Sequence, residues 1–191
     1  MEKNRLEAFS DGVIAIIITI MVLEIKVPHG AELSALSPLI PVFLSYLLSF
    51  IFIGIYWNNH HHMLQAAQYV NGPILWANLH LLFWLSLVPF ATGWMGENHF
   101  AAGPVSLYGV PLLMSGVAYY ILAQLLVRRH GKDSALARAI GSDAKGLASI
   151  FIYAAAIPLS FVNRWVALSL YALVAVIWFV PDRRVEKTLN S

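Results

Sequence analysis

Long apolar runs separated by short polar or proline-containing stretches dominate this chain. No Asp, Glu, Lys or Arg occurs from Leu33 to Gly96, or from Asn98 to Val127. Such runs exceed the roughly 20 apolar residues that a helix needs to cross a bilayer core. The pattern predicts an all-α membrane protein in a single domain, residues 1–191, with six transmembrane helices. We expect these helices at about 5–27, 38–62, 72–92, 104–129, 145–162 and 165–180.

Composition and charge agree with a multi-pass membrane protein. Hydrophobic residues make up 59% of the chain and charged residues 12%, whereas soluble domains carry about 25% charged residues. Ten of the 12 Lys and Arg residues lie at the N-terminal end of helix 1, after helix 6, or in the helix 4–5 loop and the helix ends beside it. Only Lys26 and Arg164 lie on the other side. Because cytoplasmic segments carry this excess, we expect both termini in the cytoplasm of a plasma-membrane protein. The net charge of +2 then reports topology and not a nucleic-acid partner.

Helix 1 differs from an ordinary lipid-facing helix. Its uncharged part runs only from Gly12 to Leu23, between Asp11 and Glu24, which is too short to span a bilayer. No small-residue cleavage pattern follows, so we expect a retained anchor and not a signal peptide. At 100° per residue, one stripe within about 40° of its centre holds Phe9, Val13, Ile16, Ile20, Leu23 and Val27.

This stripe has two interpretations. Arg5 lies on the same side, Thr19 lies at the edge, and Asp11 points to the opposite side. The stripe could pack against neighbouring helices in a buried bundle. Alternatively, copies of helix 1 could surround an axis and form apolar rings, which gate ions by dewetting.

The polar residues near the start of helix 1 need partners. Ser10 and Asp11 could cap a helix, but the preceding residues also favour helix. An acid within a membrane helix is costly unless it is paired, so a partner is expected on another helix or subunit. The candidate hydrogen-bond donors at the same level are Trp57, His60, His61 and Asn78.

The histidine-rich segment 58–62 is the most conspicuous polar cluster. At most two of its adjacent histidines could serve one ion, and the chain has no cysteine, so structural hydrogen bonding is favoured over a zinc site. A pH-sensing role is open because histidine titrates near neutrality. No nucleophile elbow or glycine-rich phosphate loop indicates an enzyme, and no cofactor is expected.

Three motifs resemble one known family. They are Arg5-x-x-x-Phe9-Ser10-Asp11, Trp57-x-x-His60-His61, and Asn78 followed by Leu81-Leu82-Phe83 and Pro89-Phe90. Together they resemble the endolysosomal potassium channel family, transmembrane protein 175, in its prokaryotic single-repeat form. The six-helix count and the length of 191 residues are also similar.

The resemblance implies a homotetramer in which helix 1 lines a central pore. It implies a potassium-permeable, weakly potassium-selective cation channel without a carbonyl filter. Ile16 matches the family's hydrophobic constriction and Thr19 its potassium-linked threonine, so permeating potassium is expected near both. Ile20 and Leu23 continue the apolar stripe. The motif residues are implied to hold helix 1 against helices 2 and 3.

Two other functions compete with a channel. A proton-permeable or proton-coupled transporter could use Asp11 and the histidines, but it would need an acid in the translocation path, and no helix carries an unpaired acid at mid-membrane. A membrane scaffold or metal-handling protein could be built on the cluster from His60 to His62.

Overall fold

The computed structural model describes residues 3–131, 134, 137 and 144–179. Within these residues every regular element is helical. The elements in chain order are α1 (Lys3–Leu23), a 3-10 helix (Leu33–Leu39), α2 (Ile40–Ala66), α3 (Gly72–Ser86), α4 (Val88–Glu97), α5 (Ala102–His130), α6 (Ala144–Val162) and α7 (Arg164–Phe179).

The six predicted hydrophobic segments are all present, which confirms the all-α membrane architecture. Five segments are long and apolar enough to cross a membrane, with α3 and α4 counted together as one of them. The sixth, α7, has 16 residues and spans about 24 Å at 1.5 Å per residue. The predicted end of this helix at Val180 lies outside the described residues, as do Lys132, Arg138 and the basic residues of the tail.

Helix 1 ends earlier in the structure than the sequence predicts. The prediction runs to Val27, but α1 stops at Leu23, and its last turn closes with a bond from the Ile25 N–H to the Val22 carbonyl at 3.1 Å. Pro28 disfavours helical backbone at the residue before it. The chain therefore leaves the helix early and approaches the end of α4.

The single predicted helix over 72–92 is two helices, α3 and α4, which join at Leu87. Pro89 is the cause, because it has no N–H to donate to the carbonyl four residues earlier and its ring crowds that carbonyl. Helical structure then continues past Thr92 to Glu97. The α3–α4 segment is consequently interrupted at Leu87, and both of its helices pack on α1.

Two hydrophobic cores organise the subunit, with α5 contributing to both. The first lies between α1, α2, α3 and α5, with Ile14, Leu81 and Leu122 at its centre. The second lies between α2, α4, α5, α6 and α7, with Tyr108 and Tyr171 fully buried. Because one face of α1 packs into the first core, the orientation of its other face is fixed.

Close helix packing in the second core depends on Gly109 of α5. A β-carbon at this position would collide with the hydroxyl of Tyr171 and lie 2.7 Å from Ile157 Cγ1. The Tyr171 hydroxyl donates to the Val105 carbonyl at 3.2 Å, one turn earlier on α5. The glycine therefore allows α7 to bond directly to the α5 backbone.

A chain of buried hydroxyl groups links α2, α4 and α5. Thr92 Oγ1 donates to the Val88 carbonyl at 2.7 Å, so it must accept from Ser49 Oγ, also at 2.7 Å. Because Ser49 uses its one proton there, it accepts from the Tyr108 hydroxyl at 3.0 Å. No local sequence pattern predicts this chain, because its members are far apart in the sequence and none belongs to a motif.

Candidate functional site

The two faces of α1 have opposite environments. Its buried residues are Leu6, Ser10, Ile14, Ile17 and Met21. Its exposed residues include Arg5, Phe9, Gly12, Ile16, Thr19, Ile20 and Leu23. Ile16 is 58% exposed and Leu23 78% exposed, although both are large aliphatic side chains. Most of the stripe found from periodicity therefore lies on the face that the single subunit leaves uncovered, whereas its member Val13 is half-buried.

The exposed face of α1 differs from the other uncovered surfaces of the subunit. The uncovered large side chains of α6 and α7, such as Phe151, Phe161 and Val176, suit contact with lipid tails. The α1 face instead carries the hydroxyl of Thr19 at the edge of the stripe and begins with the guanidinium of Arg5. A surface of this mixed character suits a water-containing path better than hydrocarbon.

Thr19 presents an oxygen acceptor on this face. Its Oγ1 donates to the Ile16 carbonyl at 2.9 Å, which uses the only hydroxyl proton. The lone pairs of the oxygen then point away from the helix backbone, and Thr19 is exposed. Such an oxygen can accept from water or coordinate a monovalent cation.

An open groove runs beside the stripe, between α1 and the start of α4. Its volume is about 450 Å³, and its walls include Ile16 and Ile20 on one side and Pro89 and Phe90 on the other. Glu24 lies at the end of the groove, and it is charged whereas the other residues that line the groove are uncharged. The groove therefore joins the predicted constriction to the end of α1.

A buried hydrogen-bonded chain anchors the covered face of α1. Ser10 Oγ donates to the Leu6 carbonyl at 2.8 Å and accepts from Asn78 Nδ2 at 2.9 Å. Asn78 Oδ1 then lies 2.7 Å from His60 Nε2, which must carry the proton. All three side chains are fully or almost fully buried. This chain joins α1 to α3 and α3 to α2.

Asp11 has a separate partner. Trp57 Nε1 donates to Asp11 Oδ1 at 3.0 Å, and the ring of His61 stacks on Trp57 with centroids 6.0 Å apart. Of the four candidate donors, only Trp57 bonds to the carboxylate, while Asn78 donates to Ser10 and His60 donates to Asn78. The structure thus brings together all the predicted motif residues except Arg5 and Phe9, which remain on the exposed face.

The histidines of the 58–62 segment do not converge. His60 points to Asn78, His61 stacks on Trp57, and the rings of His61 and His62 meet edge to face at 5.6 Å. Within the part of the chain that the structure describes, no three His, Cys, Asp or Glu residues form a group that could hold a metal ion. His60 contacts α3, whereas the ring contacts of His61 with Trp57 and His62 lie within α2.

An ion pair that the sequence did not predict joins the segment after α1 to the end of α4. Lys26 Nζ donates to Glu97 Oε1 at 2.6 Å, which is the one ion pair among the described residues. This hydrogen bond, together with the attraction of the carboxylate, raises the pKa of Lys26. Glu97, the last residue of α4, thus ties this helix to the segment after α1. The two residues are 71 positions apart, so no local pattern could indicate the pairing.

The fold and this site define a multi-pass helical membrane protein whose first helix is anchored on one face and uncovered on the other. Comparison with known proteins identifies the family. The family model described as "Endosomal/lysosomal potassium channel TMEM175" matches residues 5–89. The chain is 57% identical over 191 residues, the full length of both proteins, to a protein named potassium channel from Chryseobacterium sp. (strain P1-3).

A solved structure and a vertebrate relative extend the comparison. The crystal structure of a lysosomal potassium-selective channel TMEM175 homolog from Chamaesiphon minutus superposes with a TM-score of 0.81 at 31% identity, covering 94% of this chain and 97% of that chain. The Gallus gallus protein named endosomal/lysosomal proton channel TMEM175 is 43% identical over 75 residues, which are 33% of this chain and 15% of that protein. This chain belongs to the TMEM175 family.

Proposed function

We propose that this chain is the subunit of a homotetrameric, potassium-permeable and weakly potassium-selective cation channel. In this proposal α1 lines the central pore, Ile16 forms a hydrophobic constriction that acts as gate and filter, and Ile20 and Leu23 continue its apolar wall. The channel works without a ring of backbone carbonyls. Membership of a family whose relatives are named potassium channels supports the proposal.

The uncovered face of α1 is the observation that carries this proposal. A helix with a fully buried opposite face and exposed Ile16, Thr19 and Leu23 has one surface left for contact with copies of itself or with water. One helix cannot enclose a pore, whereas a closed ring of identical subunits places the same side chains around an axis. A ring then converts each stripe position into a layer of the pore wall.

Ile16 and Thr19 have different roles in ion permeation. Rings of Ile16 exclude water when the pore is narrow, and this dewetting blocks ions. The outward lone pairs of Thr19, one turn further along, offer oxygen ligands to a partly dehydrated cation. A tenfold preference for potassium requires only about 1.4 kcal/mol, a difference that a ring of hydroxyl oxygens can supply.

We propose the plasma membrane as the location, with both termini cytoplasmic. Two sets of contacts support the proposal that the segments carrying most of the positive charge lie at the same end of the helix bundle. Lys3 Nζ donates to the Gln65 carbonyl at 3.2 Å, and the backbone N–H groups of Gln68 and Tyr69 donate to His130 Nε2. The start of α1, the α2–α3 connection and the end of α5 thus meet at one end of the bundle, which the Lys and Arg excess assigns to the cytoplasm.

Ion flux into liposomes tests the channel function. Purified protein is expected to pass potassium faster than sodium, and Ile16→Asn is expected to raise both fluxes because a polar ring keeps the constriction wet. The matched control is Val22→Asn, an exposed α1 position outside the stripe, which should leave the fluxes unchanged. Unchanged flux in correctly folded Ile16→Asn protein would show that Ile16 does not form the constriction. No electrically driven cation flux in wild-type protein would exclude the channel.

Proton permeation is the second candidate, favoured by the vertebrate relatives named proton channels. A pH-sensitive dye inside the same liposomes measures it directly. Proton flux that persists without potassium or sodium flux would favour this alternative. Proton flux that rises together with potassium flux in Ile16→Asn would place both ions in one path.

A further inference from the structure

The end of α1 carries an acid at a place where helices ordinarily carry a base. Glu24 directly follows Leu23, the last residue of the helix, and the last turn of α1 contains no basic residue. The carbonyl end of a helix is the negative end of its dipole, so a carboxylate there is unfavourable for the helix itself. Local departures of this kind are expected where function requires them.

The position of Glu24 connects it with the uncovered face of α1. Its carboxylate lies over Gly93 of α4, where a β-carbon would be 3.6 Å from Glu24 Oε2, and the side chain is exposed at the end of the groove that Ile16 and Ile20 line. At 100° per residue Glu24 lies about 60° from the centre of the stripe. The charge therefore borders the apolar wall of the proposed pore.

The neighbouring charges leave this end of the subunit negative. Lys26 is bonded to Glu97. The charged residues on this side are three acids and two bases, which leave one negative charge for each subunit: Glu24, Glu32, Glu97, Lys26 and Arg164. A ring of subunits repeats this charge around the axis, together with the negative end of each α1 dipole.

We infer that Glu24 is the residue that concentrates cations at one mouth of the pore, and thereby determines how much current the channel carries. The inference rests on the proposed function, since it requires α1 to line the pore. A ring of acids at a pore entrance raises the local cation concentration and lowers that of anions. The effect acts through the electric field and not through direct coordination, so it weakens as salt screens the charge.

Single-channel recording in planar bilayers tests the inference. We compare Glu24→Gln with wild type at about 0.1 M potassium chloride, where the Debye length is about 10 Å, and at about 1 M, where it is about 3 Å. The conductance of Glu24→Gln is expected to fall on the order of twofold at the lower concentration and to match wild type at the higher one. Glu24→Asp should retain the wild-type conductance, and Glu32→Gln, an exposed acid on the segment after α1, is the control.

The absence of cysteine from the chain allows a charge-restoration experiment. A Glu24→Cys channel can be labelled with a thiol reagent that adds either a sulfonate or a quaternary ammonium. The sulfonate is expected to restore conductance at low salt and the ammonium to reduce it further. Restoration by charge of the correct sign is a result that a structural role for Glu24 would not produce.

The outcomes separate the two proposals. A wild-type protein without cation conductance would refute the proposed function, and this inference with it. A conducting wild type with equal conductance in Glu24→Gln at low salt would overturn the inference alone. An equal loss at both salt concentrations, or the same effect from both thiol reagents, would also overturn it.

Discussion

His60 Nε2 lies 2.7 Å from Asn78 Oδ1, and both side chains are buried. Because Asn78 also donates to Ser10, its amide is the central member of a chain that joins three helices. The direction of every bond in this chain follows from one fact, which is that the Ser10 proton goes to the Leu6 carbonyl. The covered face of α1 is therefore held by polar contacts as well as by apolar packing.

Replacing Asn78 with leucine is expected to destabilise the folded subunit by about 2 kcal/mol, because the buried His60 N–H loses its acceptor and Ser10 loses its donor. Thermal unfolding in detergent measures the change. Asn4→Leu, at an exposed position of α1, is the control. Adding Ser10→Ala to the Asn78→Leu protein should cost less than Ser10→Ala alone, since contacting residues are not additive. Equal costs in the two backgrounds would show that the chain is not coupled.

Gly109→Ala is expected to destabilise the protein by about 1–3 kcal/mol through overpacking. The new methyl group would collide with the Tyr171 hydroxyl, so α7 must shift and the bond to the Val105 carbonyl is lost. Gly103→Ala lies on the same helix with no atom within 4 Å of the added carbon, and it should be neutral or slightly stabilising. The midpoint of thermal unfolding compares the two proteins. A similar effect from both substitutions would contradict the close approach of α5 and α7.

Thr19→Val is expected to lower the potassium-over-sodium permeability ratio by up to about tenfold, the equivalent of about 1.4 kcal/mol. Valine keeps the shape of the side chain and removes the oxygen that Thr19 presents after donating to the Ile16 carbonyl. Reversal potentials under mixed potassium and sodium solutions measure the ratio. Thr19→Ser retains the oxygen and should retain the preference. A wild-type ratio in Thr19→Val would exclude this hydroxyl as a source of selectivity.

Local patterns in the sequence account for most of the architecture and for the uncovered face of α1. Hydropathy alone defines the six segments, because the bilayer sets the length of a spanning helix. The 3.6-residue period alone separates Ile16, Ile20 and Leu23 from the buried Ile14 and Ile17, since it fixes side-chain direction within any one helix. The break at Leu87 also had a local signal in Pro89, although the prediction continued through it.

The partners of the polar groups were decided by the tertiary structure. The sequence supplied four candidate donors for Asp11, but in the packed structure only Trp57 bonds to the carboxylate. Asn78 donates to Ser10 instead, and His60 donates to Asn78. The pairing of Lys26 with Glu97 likewise depends on where the end of α1 meets the end of α4. Residue type and helical period determine which face a group occupies, but only the distances between packed helices determine which group it meets.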